Sequence, residues 1–419
     1  MKRLCLIGFV LSFIFGCKND DDQIMDECRV PTNLTVTQIT DVTAVLSWEN
    51  SNDNLETKIE YGPAGFTPGN GTILSVSENS VDINGLMPNT NYDFYVQALC
   101  SIDNISIESN TSTFNTAVSE VIPEFLPKLS EMNVYIGDLA DLNFSPNTFI
   151  YDLSSPFHTD YAYKQRIISL PIGTSMEYQG DGLPIFPDGT VIAKTFYYNY
   201  NETNLDAGRK IIETRILIQQ SNVWHTGTYL WNDEQNDATL SEDEHIVPVT
   251  WINELGEEMN ANYEVPDALS CVMCHQNNGI STPIGPKLRS MNFNVNGSNQ
   301  LTKFVLDGHL INLPSISTIG ALPDWKDPSY SDQVRTKAYF DMNCAHCHSP
   351  GGFHNTNYSG EMDFRFESNF EDSQIYEKRL SIRTRFPSSI PGYSMPFIGV
   401  TLPHQEAIDL IIPYLETLE

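Results

Sequence analysis

Two five-residue stretches carry the chemistry of this chain: "CVMCH" at Cys271–His275 and "CAHCH" at Cys344–His348. Each sets two thiols three positions apart and places an imidazole directly after the second. This C-x-x-C-H spacing is the one used for covalent attachment of a c-type haem. The thiols add to the two vinyl groups of the porphyrin, and the next residue offers its imidazole to the iron as proximal ligand. On this reading Cys271, Cys274 and His275 hold one haem, and Cys344, Cys347 and His348 hold a second. His346, between the second pair of thiols, is expected to point away. Two rivals compete for the same cysteines. Two C-x-x-C pairs make a four-cysteine zinc site, but such sites usually part the pairs by about 15–20 residues, and here Cys274 and Cys344 are 70 apart. A redox-active dithiol of the thioredoxin kind needs a βαβ context, and none is visible.

The elements that must position these groups differ along the chain. "SDQVRTKAYFDMNCAHC" (Ser331–Cys347) carries Val334, Ala338, Tyr339, Met342 and Ala345 near helical spacing. Gly351 and Gly352 are expected to stop that helix. "HQEAIDLIIPYLETL" (His404–Leu418) places Ile408, Ile411, Leu415 and Leu418 on one face, with Pro403 suited to the first turn and Pro413 expected to bend it. Before this, residues 129–265 read as strands. "TVIAKTFYYNY" (Thr190–Tyr200) and "IIETRILIQ" (Ile211–Gln219) are rich in β-branched and aromatic residues. They predict an antiparallel β domain with Tyr161, Tyr163, Tyr197, Trp224 and Trp231 mostly in its core. Residues 118–128, with Pro123 and Pro127, read as a linker. In residues 28–117, "AVLSWE" (Ala44–Glu49) puts Ala44, Leu46 and Trp48 on one face. "YDFYVQAL" (Tyr92–Leu99) does the same for Tyr92, Phe94, Val96 and Ala98. Turn residues punctuate these runs, as in a β-sandwich.

The formal charge is −31 over 419 residues. Such a chain repels nucleic acid and anionic headgroups and suits an exported protein with neutral or cationic partners. At the start, Lys2 and Arg3 precede an apolar run, Leu4–Phe15, too short to span a bilayer. The run ends in "IFGC", which resembles a bacterial lipoprotein signal: residues 1–16 are removed and Cys17 is lipidated. Cys5 is lost with the signal. "KNDDD" at Lys18–Asp22, within an acidic tether at 17–27, looks like the tags that send some lipoproteins to the outer cell surface. The expected location is the bacterial cell envelope, with the membrane reached only through that lipid anchor.

Residues 28–117 resemble a fibronectin type III module through Pro31, Trp48, Tyr61, Leu86, Pro88, Thr90 and Tyr92. Cys28 and Cys100 would then tie the ends of the module together by a disulfide. Residues 331–419 resemble a class I cytochrome c domain: C-x-x-C-H, a loop, Met395-Pro396, then a final amphipathic helix. That resemblance implies Met395 as the sixth ligand of the second haem. For the first haem, bound by residues 266–330, "GPKL" (Gly285–Leu288) looks like the loop lining the proximal side. Met291, His309 and Met342 compete for its sixth position with a vacant iron. The whole stretch from 129 to 419 resembles a bacterial secreted family of predicted dihaem c-type cytochromes, through "DYAYKQR", "FPDGTVIAKTFYY", "ETRILI", "YLWN", "PIGPKLRSMN" and "NCAHCHSPGG". The expected chain is therefore multidomain: a fibronectin type III sandwich, an antiparallel β-rich middle domain and an α-helical, cytochrome c-like end. The expected function is electron transfer between redox partner proteins of the envelope. The alternatives are a haem-dependent oxidoreductase, a peroxidase or dehydrogenase subunit with an open first haem and substrate on the β domain, and a surface-binding protein led by the first module.

Overall fold

A computed structural model describes residues 28–50, 56–358 and 361–418. They form two compact units, one ending at Ala117 and one beginning at Val118. The signal-like start, Cys17 and the acidic tether lie outside the described residues. No helix among the described residues is long and apolar enough to cross a membrane.

The first unit is a β-sandwich. One sheet pairs Thr32–Thr37, Thr43–Glu49 and Ser80–Asn84; the other is built on Glu56–Pro63 and Asn91–Ser101, with Thr72–Val76, Asn104–Ile105 and Ser112–Asn115 at its flanks. Alternation decides which side chains face inward. Leu46 and Trp48 from one sheet meet Ile59, Phe94 and Val96 from the other. Trp48 is kept in the core because its indole N–H donates to Thr57 Oγ1 at 3.2 Å. Tyr92 reaches back to accept from the Met87 amide at 2.9 Å, fixing the corner before its strand. Cys28 and Cys100 form a disulfide across a sequence separation of 72 residues. Closing a loop of that length stabilises the fold by about 4 kcal/mol in the chain-entropy treatment.

The second unit is built on a six-stranded antiparallel sheet. The strands run, in spatial order, Ala238–Ser241, Val223–Trp231, Arg209–Gln220, Val191–Asn199, Tyr163–Ser169 and Thr148–Ile150. One face packs Ile167, Val191 and Ile218 beneath Leu129 and Met132. Residues 118–128, expected to be a linker, belong to this face: Phe125 and Leu126 pack on it, and Tyr229 donates to the Leu126 carbonyl at 2.8 Å. Gly227 makes room for this crossing, because a Cβ there would meet Phe125 at 2.5 Å. Of the expected core aromatics, Trp224 and Trp231 are buried, while Tyr161, Tyr163 and Tyr197 are half-buried.

The opposite face divides along its length. Near one end Phe196 and Tyr198 meet Trp251 and Tyr263 of a hairpin, His245–Ile252 with Glu258–Val265. Near the other, Ile168, Ile192 and Leu217 share one core with Tyr339, Met342 and Ile411 of the helical part. The β-rich and helical segments are therefore built on a common interior. In that helical part Asp332–Asn343 packs on Gln405–Glu416. The latter helix runs through Pro413, which sits in its last turn, where only one backbone bond is lost. The helix ahead of the second motif stops earlier than the glycines predicted. It ends at Asn343; the Cys344 amide still donates to Phe340, but Cys344 leaves helical geometry at φ −132°. The second motif thus lies in turns closed by Cys347 and His348 amides on the Cys344 carbonyl.

Candidate cofactor site

The two motifs, 70 residues apart in sequence, meet in space. Cys271 and Cys274 sit on a short helix, Ala268–His275, whose start is capped by the Asp267 carboxylate accepting from the Ser270 amide at 2.7 Å. Cys344 and Cys347 sit in the turns that follow Asp332–Asn343. All four thiols are free and half-buried. Cys274, Cys347 and His346 present ligand atoms within 4.8 Å of one another. His346 therefore does not turn away, as expected, but joins the thiols of both motifs while its ring packs on Phe157 at 5.5 Å. As thiols, Cys274 is held well below the usual range by the hydrogen bond from Cys347 and then by His346. Cys347 is pushed up by the same bond. Burial alone pushes the Cys344 thiol up to about 12.

The segment between the motifs pins them together. Thr282 holds His275: its carbonyl lies 2.9 Å from His275 Nδ1, and its amide donates to the His275 carbonyl. A ring fixed through Nδ1 leaves Nε2 for a ligand, the arrangement seen in metal-bound histidines. Gly285 takes a positive φ of 113° with Leu153 where a Cβ would lie, at 3.1 Å. Two residues on, Lys287 donates to both oxygens of buried Asp341, at 2.9 and 3.0 Å. The "GPKL" phrase thus bolts the first motif's segment to the helix that leads into the second.

A haem needs two thiols, a free imidazole nitrogen and an apolar slot, and ligand slots usually run from about 300 Å³ upward. At the second motif these needs are met. A cavity of about 450 Å³ is lined by Cys344, Cys347, His348 and Met395, with Phe353 and Phe397 among its apolar walls. Burial, and then the neighbouring His354, holds His348 down to about 3, so the imidazole stays neutral as a ligand must. His348 Nδ1 is buried without a hydrogen-bond partner among the described residues. Met395 precedes Pro396 through a cis peptide bond. At the first motif the donors match and the space does not. Cys271, Cys274 and His275 line a cavity of about 70 Å³, and Cys274 also lines another of about 250 Å³. Seating a full ring there requires the surrounding segments to move apart.

Of the three candidates for the first sixth position, Met342 lines both of these smaller cavities. Met291 is buried in the core, and His309 stacks on Phe149 at 4.1 Å. The wall opposite the first motif was not anticipated. Lys164, Arg166, Lys194 and Arg215 rise from the sheet into the 70 Å³ cavity. Burial lowers Lys194 to about 7 and lowers Lys164 and Arg166. For Arg215 burial acts the same way, but the Glu213 carboxylate outweighs it and raises the guanidinium. The signal was present in sequence: charged residues at inward-facing positions of strands otherwise apolar.

Comparison with known proteins bears on the first unit. The fibronectin type III family model matches residues 29–114. A stretch of 95 residues is 36% identical to chitinase A1 of Niallia circulans, covering 22% of this chain and 13% of the chitinase. A redesigned β-sandwich protein of known structure is 28% identical over 21% of this chain and 93% of its own, with a TM-score of 0.19. The fibronectin type III domain of human collagen alpha-1(XX) is 24% identical over 22% of this chain and 88% of its own, with a TM-score of 0.20. Residues 29–114 are a fibronectin type III domain.

Proposed function

We propose that this chain is a c-type cytochrome of the bacterial cell envelope, carrying single electrons between redox partner proteins. The observation that carries the reading is the 450 Å³ cavity lined together by Cys344, Cys347, His348 and Met395. Cys344 and Cys347 would form the thioethers, and His348 and Met395 the axial pair. When bound, a haem so ligated supplies a one-electron couple of raised potential. The chain's own part is to hold the imidazole neutral by burial and to line the slot with apolar side chains that exclude water. Cys271, Cys274 and His275 are assigned to a second haem on their spacing and on the Thr282 carbonyl that fixes the ring. The fibronectin type III domain serves as a spacer, and Cys17 as the lipid anchor.

The test is a pyridine haemochrome assay with intact mass on protein exported and matured in its native manner. Two haems per chain are expected; colourless protein overturns the reading. A second reading has its own observation, the convergence of Cys274, His346 and Cys347 within 4.8 Å. These are three of the four donors that a structural zinc site takes. Stoichiometric zinc in that same preparation, in place of haem, would select it.

A further inference from the structure

The sheet of the second unit carries a row of cations in its interior. Arg166, Lys194 and Arg215 are register partners across three neighbouring antiparallel strands. All three line the cavity that also holds Cys271, Cys274 and His275, and Lys164 joins them there. The next row on the same face is apolar, Ile168, Ile192 and Leu217, and packs in the core. Like charges directly opposite in a sheet repel, and burial strengthens the repulsion by removing water. This positive charge is gathered inside a chain whose formal charge is −31.

Carboxylates of the protein answer part of it. Glu213 accepts from Arg215 through Nε at 2.8 Å and through Nη2 at 2.5 Å, and it also accepts from Tyr263 at 2.6 Å. Asp152 stands 3.7 Å from Arg166, with half of its side chain exposed. Lys164 donates to the Phe157 carbonyl at 2.7 Å, and Asp160 lies near enough to favour its charge. Lys194 is different. Its side chain makes no hydrogen bond or ion pair among the described residues and no carboxylate lines the cavity, although Glu213 on the neighbouring strand favours its charge from farther off. Flanked in register by two guanidiniums, this amine is pushed toward its neutral form, and an anion bound beside it would favour the charged form.

We propose that this row binds a carboxylate or comparable small oxyanion beside the first motif, with Lys194 as its principal contact and Arg166 and Arg215 flanking it. The cavity's 70 Å³ is several times what a single water needs and suits a group of a few atoms. Charge-assisted hydrogen bonds from such donors are the strong ones. The carboxylate is that of a free small anion, which would place a substrate or effector at the first motif.

The experiment uses the full, natively matured chain, with Lys194→Met and Lys194→Arg. Haem per chain and melting temperature against oxalate at constant ionic strength are measured on each. For a free anion, oxalate raises the melting temperature saturably. Lys194→Met weakens its apparent dissociation constant about tenfold or more, and Lys194→Arg restores it. Lys194→Met in oxalate-free protein is expected to fold, since Met is of similar length, needs no polar partner and relieves the like-charge row. No saturable oxalate effect, or one that Lys194→Met leaves unchanged, overturns the proposal. If the chain carries no haem, the cytochrome reading fails by itself, and the oxalate titration alone decides the row.

Discussion

The same five-residue spacing occurs twice in this chain and meets two different environments. The first motif is helical, its histidine is held by the Thr282 carbonyl, and it faces a row of cations in a small cavity. The second lies in turns, its histidine has a buried Nδ1 without a hydrogen-bond partner among the described residues, and it faces a larger cavity lined in part by Met395. Spacing fixes which atoms can be attached. The surroundings fix what the attached group can do. A thioether in an apolar slot favours a closed, six-coordinate electron carrier. The first cavity is small and lined by Lys164, Arg166, Lys194 and Arg215 together with Met342, and the second is larger and lined in part by Met395.

The largest expected effect separates the two motifs outright. Cys344→Ser with Cys347→Ser is expected to remove one haem and leave the other, and Cys271→Ser with Cys274→Ser to do the reverse. Haem per chain reads one in each case, and a value of two in either variant removes that motif from the assignment. Next comes Met395→Ala. It is expected to lower the potential of one haem and let that iron take up cyanide, with the other haem unchanged in redox titration. If both potentials stay in place, Met395 fills space and does not ligate.

A third prediction attacks the joint between the motifs. Lys287 belongs to the segment after the first motif and Asp341 to the helix before the second, and the Asp341 side chain is fully buried. Lys287→Met leaves that carboxylate with the Phe366 amide but without its cation. Breaking a buried pair in this way costs about 3 kcal/mol. Chemical denaturation of the second unit should show that loss, while the fibronectin type III domain melts as before. An unchanged midpoint would mean that the two motif segments are not coupled through this pair.

How much of this was legible depends on the range of the interaction. The sandwich was readable because alternation is local: Ala44, Leu46 and Trp48 face inward as their period requires, and so do Tyr92, Phe94, Val96 and Ala98. The two motifs were equally plain, since both are contiguous. The helix Asp332–Asn343 was visible, but its end was not. Gly351 and Gly352 marked a stop, whereas the chain turns at Cys344. Position in space was beyond reach. Nothing in the spacing of Cys274 and Cys347 says that they touch, so His346 was read as incidental. The charged residues of the cation row were visible strand by strand, but their alignment was hidden for the same reason. Arg166, Lys194 and Arg215 sit in three separate strands, and only register brings them opposite one another.

The smallest expected effect asks whether the surroundings of the second motif respond to acid. His158 and His404 stack at 4.1 Å beside the chain that leads from Met395 into the last helix. His158 Nε2 pairs with the Leu402 carbonyl at 3.0 Å, and His404 Nδ1 with the Tyr339 hydroxyl at 3.1 Å. Burial, then the neighbouring His404 ring, holds His158 down to about 3. Burial, then Lys326, holds His404 down to about 4. Both folded values lie below the ordinary value of 6.5. In acid the unfolded chain therefore binds protons that the folded chain refuses. The stability from each neutral ring is complete above about 6.5 and is lost as pH falls toward the folded value. By pH 4.5 each histidine should have cost about 2–3 kcal/mol relative to pH 7. Asp160, whose carboxyl is raised by burial, acts in the opposite direction, so the comparison must be between variants and not with zero. His404→Gln is expected to flatten the fall in denaturation midpoint between pH 7 and 4.5 by about half of the pair's share. An unaltered slope in that variant would show that the stacked histidines do not govern the loop carrying Met395, and that the two motif environments differ in ligands but not in their response to protons.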